Sequence, residues 1–224
     1  MFPQRCTALV ALISLVVTAT AGANSTEEVL RAGLGDLPPH PRLFLHTTEV
    51  PALQEKLAAD PLLGAARDHL IAAARNVMEQ PPVERQKTGK RLLGVSRKAL
   101  QRIGYLALAY RLTDEQAFAE RAEQEMLAAA AFTDWNPSHF LDVAEMTAAL
   151  AIGYDWLHAV LPASSRETIR TAIIELGLRT SLDGGWWVDA ENNWNQVCHG
   201  GLALGALAVA EHAPDLAQQV ITRG

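Results

Sequence analysis

The sequence predicts an all-α protein. From Thr47 onward alanine and leucine recur at helical spacing almost without interruption. Alternating β-branched runs are few, and the connections up to Asp183 are short and carry helix-boundary residues.

Read in order, the chain opens with MFPQRCTALVALISLVVTATAGANS, in which Arg5 precedes an apolar run from Ala8 to Val17 and then the small residues Ala19, Ala21 and Ala23. This is the pattern of a secretory signal peptide, taken as residues 1–23. The run falls short of the roughly 20 apolar residues a membrane-crossing helix needs, so an exported protein, periplasmic or extracellular, is expected without a membrane partner. Residues 24–46 are expected to be extended, because Pro38, Pro39 and Pro41 fix φ and remove amide donors. Residues 47–224 form one helical domain with eight helices, at 48–58, 61–78, 92–112, 114–131, 139–160, 165–180, 194–211 and 213–222. Thr113 with Gln116, and Ser164 with Glu167, have the spacing of capping boxes, and Pro162 follows the fifth helix. Short links make neighbours antiparallel, so helical hairpins are expected to assemble into a toroid or solenoid. No repeat of fixed period is found, which argues against regular repeat arrays.

Composition narrows the function. An apolar fraction of 49% over some 200 mature residues is enough for one sizeable core. Cys6 is lost with the leader, leaving Cys198 without an internal disulfide partner. The net charge of −6, about −7 once Arg5 is removed, gives no electrostatic footprint for nucleic acid, and does not by itself favour a polyanion. The residues 80–98 are locally basic, with Arg85, Lys87, Lys90, Arg91, Arg97 and Lys98 against Glu84. Such a run is ordinarily a solvated face, the alternative being a surface that contacts polyanions. No metal site or cofactor is expected.

Two stretches interrupt the alanine and leucine pattern, and four of the five tryptophans, Trp135, Trp186, Trp187 and Trp194, lie in them. Indole faces stack on sugar rings while the indole N–H stays available for hydrogen bonding, so carbohydrate is a natural substrate; the alternative is that these rings plug gaps between helix ends. In the first stretch His139, Asp142 and Glu145 recur every three residues and line one flank of a helix. Asp142 suits a first-turn response to the helix dipole, whereas Glu145, among Val143, Ala144 and Met146, requires a partner. In the second, Asn192, Asn193, Asn195 and Gln196 cluster at a helix start, where dipolar amides and free backbone N–H groups can hold a carboxylate. Asn193 and Gln196 also have the spacing of a capping box, and His199 follows Asn195 by one turn.

Taken together, HPRLFLHTTEVPALQEKLAADP, TDWNPSHFLDVAEMTAALAIGYDWL and NNWNQVCHGGLALGALAVAE resemble the N-terminal helical, alginate lyase-like domain of heparinase II/III-like polysaccharide lyases. The resemblance spans essentially the whole mature chain. It implies an incomplete (α/α) toroid built of antiparallel helical hairpins, truncated here before the C-terminal β-sandwich of longer members. It also implies β-elimination on an acidic, uronate-containing polysaccharide. Amides neutralise the uronate carboxylate so that the C5 proton becomes acidic, a base removes that proton, and a tyrosine protonates the leaving oxygen. On this sequence the resemblance places the neutralising role on Asn193, with Asn192, Asn195 and Gln196 as orienting neighbours, and the base on His199 or His139. Trp135, Trp187, Trp194 and Glu145 join as substrate-binding candidates. The tyrosine is expected beyond Gly224, since Tyr105, Tyr110 and Tyr154 precede the asparagine motif in apolar patterns. Two alternatives stand beside this reading. One is a noncatalytic carbohydrate-binding protein; the other, ranked lower, is a toroidal glycoside hydrolase using Asp142 and Glu145.

Overall fold

The computed structural model describes residues 33–224; the expected leader and residues 24–32 lie outside them. Among the described residues the protein is all-helical, with no strand and a single isolated bridge between Thr88 and Arg91. A 3-10 turn, Thr47–Glu49, leads into α1 (Val50–Ala59). There follow α2 (Pro61–Met78), α3 (Leu93–Thr113), α4 (Gln116–Ala130), a 3-10 turn Pro137–His139, and α5 (Leu141–Leu157). Then come α6 (Ala163–Ala172), which runs on as a π-helical segment Ile173–Arg179, α7 (Asn193–Val209) and α8 (Pro214–Arg223).

Local chemistry explains several boundaries. Asp60 caps α2 by accepting from the amides of Leu62 (2.8 Å) and Leu63 (3.2 Å), and Pro61, which lacks a donor, takes the first position. Asp114 ends α3 in the left-handed region at φ 59°. Neither expected capping box forms. Thr113 remains inside α3, its hydroxyl donating to the Ala109 carbonyl and accepting from the Glu115 amide, so Glu115 rather than Thr113 precedes α4. Ser164 lies within the first turn of α6 because Pro162, whose carbonyl receives the Arg166 amide, already starts the helix. Residues 33–35 are helical where an extended chain is expected, and the turn puts Leu34 and Leu37 on the core.

Three long helices share one direction. Ser96 donates to the Asp142 carbonyl, Arg97 meets Glu145, and Gly153 packs on Ile103, so α3 and α5 run parallel. Trp194 packs on His139, Gly201 on Ala144 and Gly205 on Thr147, so α7 runs parallel to α5 on its other side. The row is therefore α3, α5, α7, with all three N-termini at one end. Behind it α4 packs against α3 and bridges α2 to α6. The central α5 is buried on nearly all sides. Its close packing depends on glycine: a Cβ at Gly201 would overlap the Ala144 backbone, and one at Gly205 would overlap the Thr147 methyl. At the π-helical segment Gly177 likewise rests on Thr147 and Trp135, with no space for a side chain.

The entry segment is pinned by Asp155 of α5. Fully buried, its carboxylate accepts from the amides of Arg42 (2.9 and 3.0 Å) and Leu43 (2.8 Å) and contacts His40 Nδ1 at 2.6 Å. His40 Nε2 meets Glu211 at 2.8 Å, and Arg42 also binds Glu211. Both imidazole nitrogens thus face carboxylates, an arrangement that favours the imidazolium.

Candidate functional site

The shared N-terminal end of α3, α5 and α7 gathers most of the residues singled out in the sequence. Its foundation is Asp142 in the first turn of α5. The carboxylate is fully buried and accepts from the Leu92 amide (2.6 Å) and from Asn136 Nδ2 (2.7 Å), and it contacts His139 Nδ1 at 2.6 Å. Asp142 is thus more than a response to the helix dipole: it anchors two loops and one imidazole. Because a carboxylate only accepts, neutral His139 carries its proton on Nδ1, which leaves Nε2 as the basic nitrogen. The ring also packs edge-on against Trp194, with centroids 4.8 Å apart.

Asn136 makes this possible by adopting φ 61°, which aims its amide at both the Lys90 carbonyl (2.9 Å) and Asp142. Beside it the Asp134 carboxylate is pushed up by burial, but Arg85 and the Asn136 amide outweigh this and hold it below its ordinary value.

Glu145 has the partner its apolar surroundings demanded. Arg97 Nε lies 3.1 Å from both carboxylate oxygens. Burial still raises its pKa, with Asp142 adding to the rise and Arg97 opposing it. The adjacent Cys198 thiol is buried, and burial together with Glu145 pushes it up to about 12, so it is no nucleophile.

The amide cluster divides into two roles. Asn192 is the cap of α7, its Oδ1 accepting from the Trp194 amide at 2.9 Å; the cap is therefore Asn192, and the expected Asn193–Gln196 box does not form. Asn195 Nδ2 donates to the Val188 carbonyl at 2.5 Å, and His199 Nε2 lies 3.2 Å from the same oxygen. Since a carbonyl only accepts, His199 donates through Nε2, and Gly224 lies beside its ring. His199 and Asn195 together clamp the loop that precedes α7. Asn193 and Gln196 are exposed, and among the described residues neither side chain has a protein hydrogen-bond partner.

The tryptophans divide as well. Trp135 is 0% exposed and donates to the Ala129 carbonyl at 3.0 Å, and Trp187 is 2% exposed, stacked on Phe140. Neither presents a face to a sugar, so both fill gaps between helix ends. Trp194 is half-buried between His139 and Trp186, with the Trp186 ring centroid at 4.6 Å. Trp186 is 62% exposed. The resemblance assigns it no substrate-binding role, although it follows Gly184 and Gly185, both at positive φ, in a turn that presents its side chain outward.

The end of the bundle thus carries two uncommitted amides, an exposed indole packed on a half-buried one, a carboxylate-oriented imidazole, and an Arg97–Glu145 pair. Three helix N-termini add partial positive charge there. Chemically, such a surface can hydrogen-bond an anion and accept a proton. No family model matches the chain, and no curated protein matches it.

Proposed function

We propose that this chain is the helical part of a polysaccharide lyase that binds a uronate-containing acidic polysaccharide outside the cytoplasm and supports β-elimination. The observation that carries the reading is the unpartnered Asn193 amide next in the chain to Trp194, whose ring packs on the oriented His139 imidazole, at one end of three parallel helices. Asn193, with Gln196 beside it, hydrogen-bonds the uronate carboxylate and withdraws charge, making the C5 proton acidic. His139 Nε2 takes that proton, the C4–O bond breaks, a C4–C5 double bond forms, and the leaving oxygen takes a proton from solvent water. Trp186 and Trp194 stack the neighbouring sugar. His199, whose Nε2 is spent on the Val188 carbonyl, serves the loop and not the proton transfer.

The row of α3, α5 and α7, with α4 behind it, supports reading the helices as an incomplete (α/α) toroid of hairpins. Protonation of the leaving group falls to a group other than the three tyrosines. Tyr105 and Tyr110 lie 8 and 13 residues beyond Arg97 on α3, and Tyr154 lies 12 beyond Asp142 on α5, so at 1.5 Å per residue each stands roughly 12–20 Å up the bundle. That separation favours, as second reading, a protein that binds carbohydrate without cleaving it. A hydrolase built on Asp142 and Glu145 is disfavoured: Asp142 is sealed beneath three hydrogen bonds, and both residues sit on one helix flank, where they do not bracket a glycosidic bond.

The test is incubation with alginate, polygalacturonate and glycosaminoglycans while following ultraviolet absorbance and reducing ends. A lyase generates the absorbing unsaturated uronate, and Asn193→Ala abolishes it while leaving the melting temperature within about a degree of wild type, since no cap is lost. Reducing ends without absorbance, or elimination that survives in Asn193→Ala, overturn the assignment.

A further inference from the structure

Residues 80–98 hold the densest exposed positive charge beside the site, and they are more tightly held than a solvated loop requires. Thr88 and Arg91 exchange two backbone hydrogen bonds (2.9 and 3.2 Å) around a two-residue turn with Gly89 at φ 61° in its first central position. The turn is then fastened to the site. The Lys90 carbonyl receives Asn136 Nδ2, the Leu92 amide donates to Asp142, and Lys87 Nζ reaches Asn136 Oδ1 at 3.5 Å. Asp142 therefore grips the His139 imidazole with one oxygen and the end of the basic turn with the other.

Asn136 is held in a sparsely populated backbone region to make these bonds, the kind of outlier that clusters where geometry serves a function. Lys87, Lys90, Arg91 and Lys98 are exposed, and among the described residues none has a carboxylate within ion-pair distance. Glu84 is the exposed acid of the same surface; Arg85 and Arg97 are committed to Asp134 and Glu145. A cavity of about 220 Å³ opens beside the turn, with Pro82, Val83 and Val95 on its apolar side and Lys98 and Glu84 at its edge. With the backbone of the turn fixed in this way, meeting an anion orders the side chains and not the loop.

We infer that Lys87, Lys90, Arg91 and Lys98 form a cationic rail that binds the acidic groups of a uronate polysaccharide on units adjoining the one held at Asn193 and His139. This rests on the lyase reading for the identity of the central unit. The net charge of −6 supplies no general attraction for a polyanion, so the binding rests on this local cluster. The binding is electrostatic and exposed, so it weakens with salt.

The experiment compares the full chain with Lys87→Gln/Lys90→Gln/Arg91→Gln and with a control of equal charge change, Lys56→Gln/Arg75→Gln/Arg179→Gln, after circular dichroism confirms equal helicity. The probes are polygalacturonate, neutral dextran and a single-stranded oligonucleotide, with binding measured between 20 and 300 mM salt. Three lost surface contacts lower affinity for polygalacturonate roughly tenfold at low salt and flatten its salt dependence, while the control stays near wild type. Equal loss in the control, absence of polygalacturonate binding, or tighter binding of the oligonucleotide than of the polysaccharide overturns the rail. Absorbance of the unsaturated product is followed in parallel. Elimination with an unchanged KM in the turn variant sinks the rail and leaves the lyase; turn-dependent binding without elimination in wild type does the reverse.

Discussion

At the scale of single residues, hydrogen-bond direction separates histidines that the sequence leaves equivalent. His139 is oriented by a buried carboxylate and keeps Nε2 for chemistry; His199 spends Nε2 on a carbonyl. His139→Gln should therefore lower kcat by about 10²–10⁴ with little change in KM, whereas His199→Gln should act mainly on stability, seen as a lower melting temperature. A second pair sets the pH response. Burial, the neighbouring His40 cation and Arg166 lower His158 to about 4, and the two rings stack at 4.1 Å. His158 is thus neutral in the fold and protonates more readily once unfolded, so its contribution is complete above 6.5 and is lost as pH falls toward 4. Burial acts to lower His40, but hydrogen bonds to Asp155 and Glu211 prevail and raise it. Its contribution is complete below 6.5 and is lost as pH rises through the folded value. Glu211 sits at about 2: burial opposes the shift, and His40 and Arg42 overcome it, so its contribution is complete above 4.5 and is lost as pH falls from 4.5 toward 2. Urea midpoints across pH should show His158→Gln flattening the decline between 6.5 and 4, and His40→Gln removing the decline on the alkaline side. Unchanged profiles would contradict both assignments.

At the scale of elements, three buried carboxylates on helices each hold a preceding loop by its backbone amides. Asp155 binds residues 42–43, Glu125 binds the Val83 amide together with Arg102 and Arg121, and Asp142 binds Leu92. Removing such an acceptor strands buried donors. Asp155→Ala and Glu125→Ala should each cost about 3–5 kcal/mol in denaturant unfolding, well above the ~1 kcal/mol of Asn192→Ala at an exposed cap. The helices themselves were legible in the sequence, each boundary falling within a few residues of expectation, because apolar periodicity and proline act locally. The capping boxes were not. Threonine and serine at the right spacing satisfied the pattern, but α3 runs on through Thr113 and α6 starts ahead of Ser164, and only the backbone path decides which residue is outside a helix.

At the scale of the molecule, the parallel row α3, α5, α7 brings loops about 50 residues apart to one end, and its closeness depends on small residues along α7. Gly201→Ala would press a methyl into the Ala144 carbonyl, so an overpacking cost of about 1–3 kcal/mol and a shift of α7 away from α5 are expected. Chemical unfolding measures the first. A change in Trp194 fluorescence, through its contact with His139, reports the second.

Composition and periodicity determined the all-helical class and the placement of eight helices, and residue type alone marked out the asparagine, tryptophan and histidine stretches. Burial and partners lay beyond them. Trp135 and Trp187 are chemically as suited to sugar as Trp186, yet they are sealed while Trp186 is exposed; Asn192, Asn193 and Asn195 are identical side chains with three different commitments. Asp142, readable as a simple dipole response, became the anchor of the site when Leu92, Asn136 and His139 converged on it. Local propensity acts over a few residues and can be read along the chain. Which polar group remains uncommitted is settled by contacts between distant segments, and those exist only after the helices have packed.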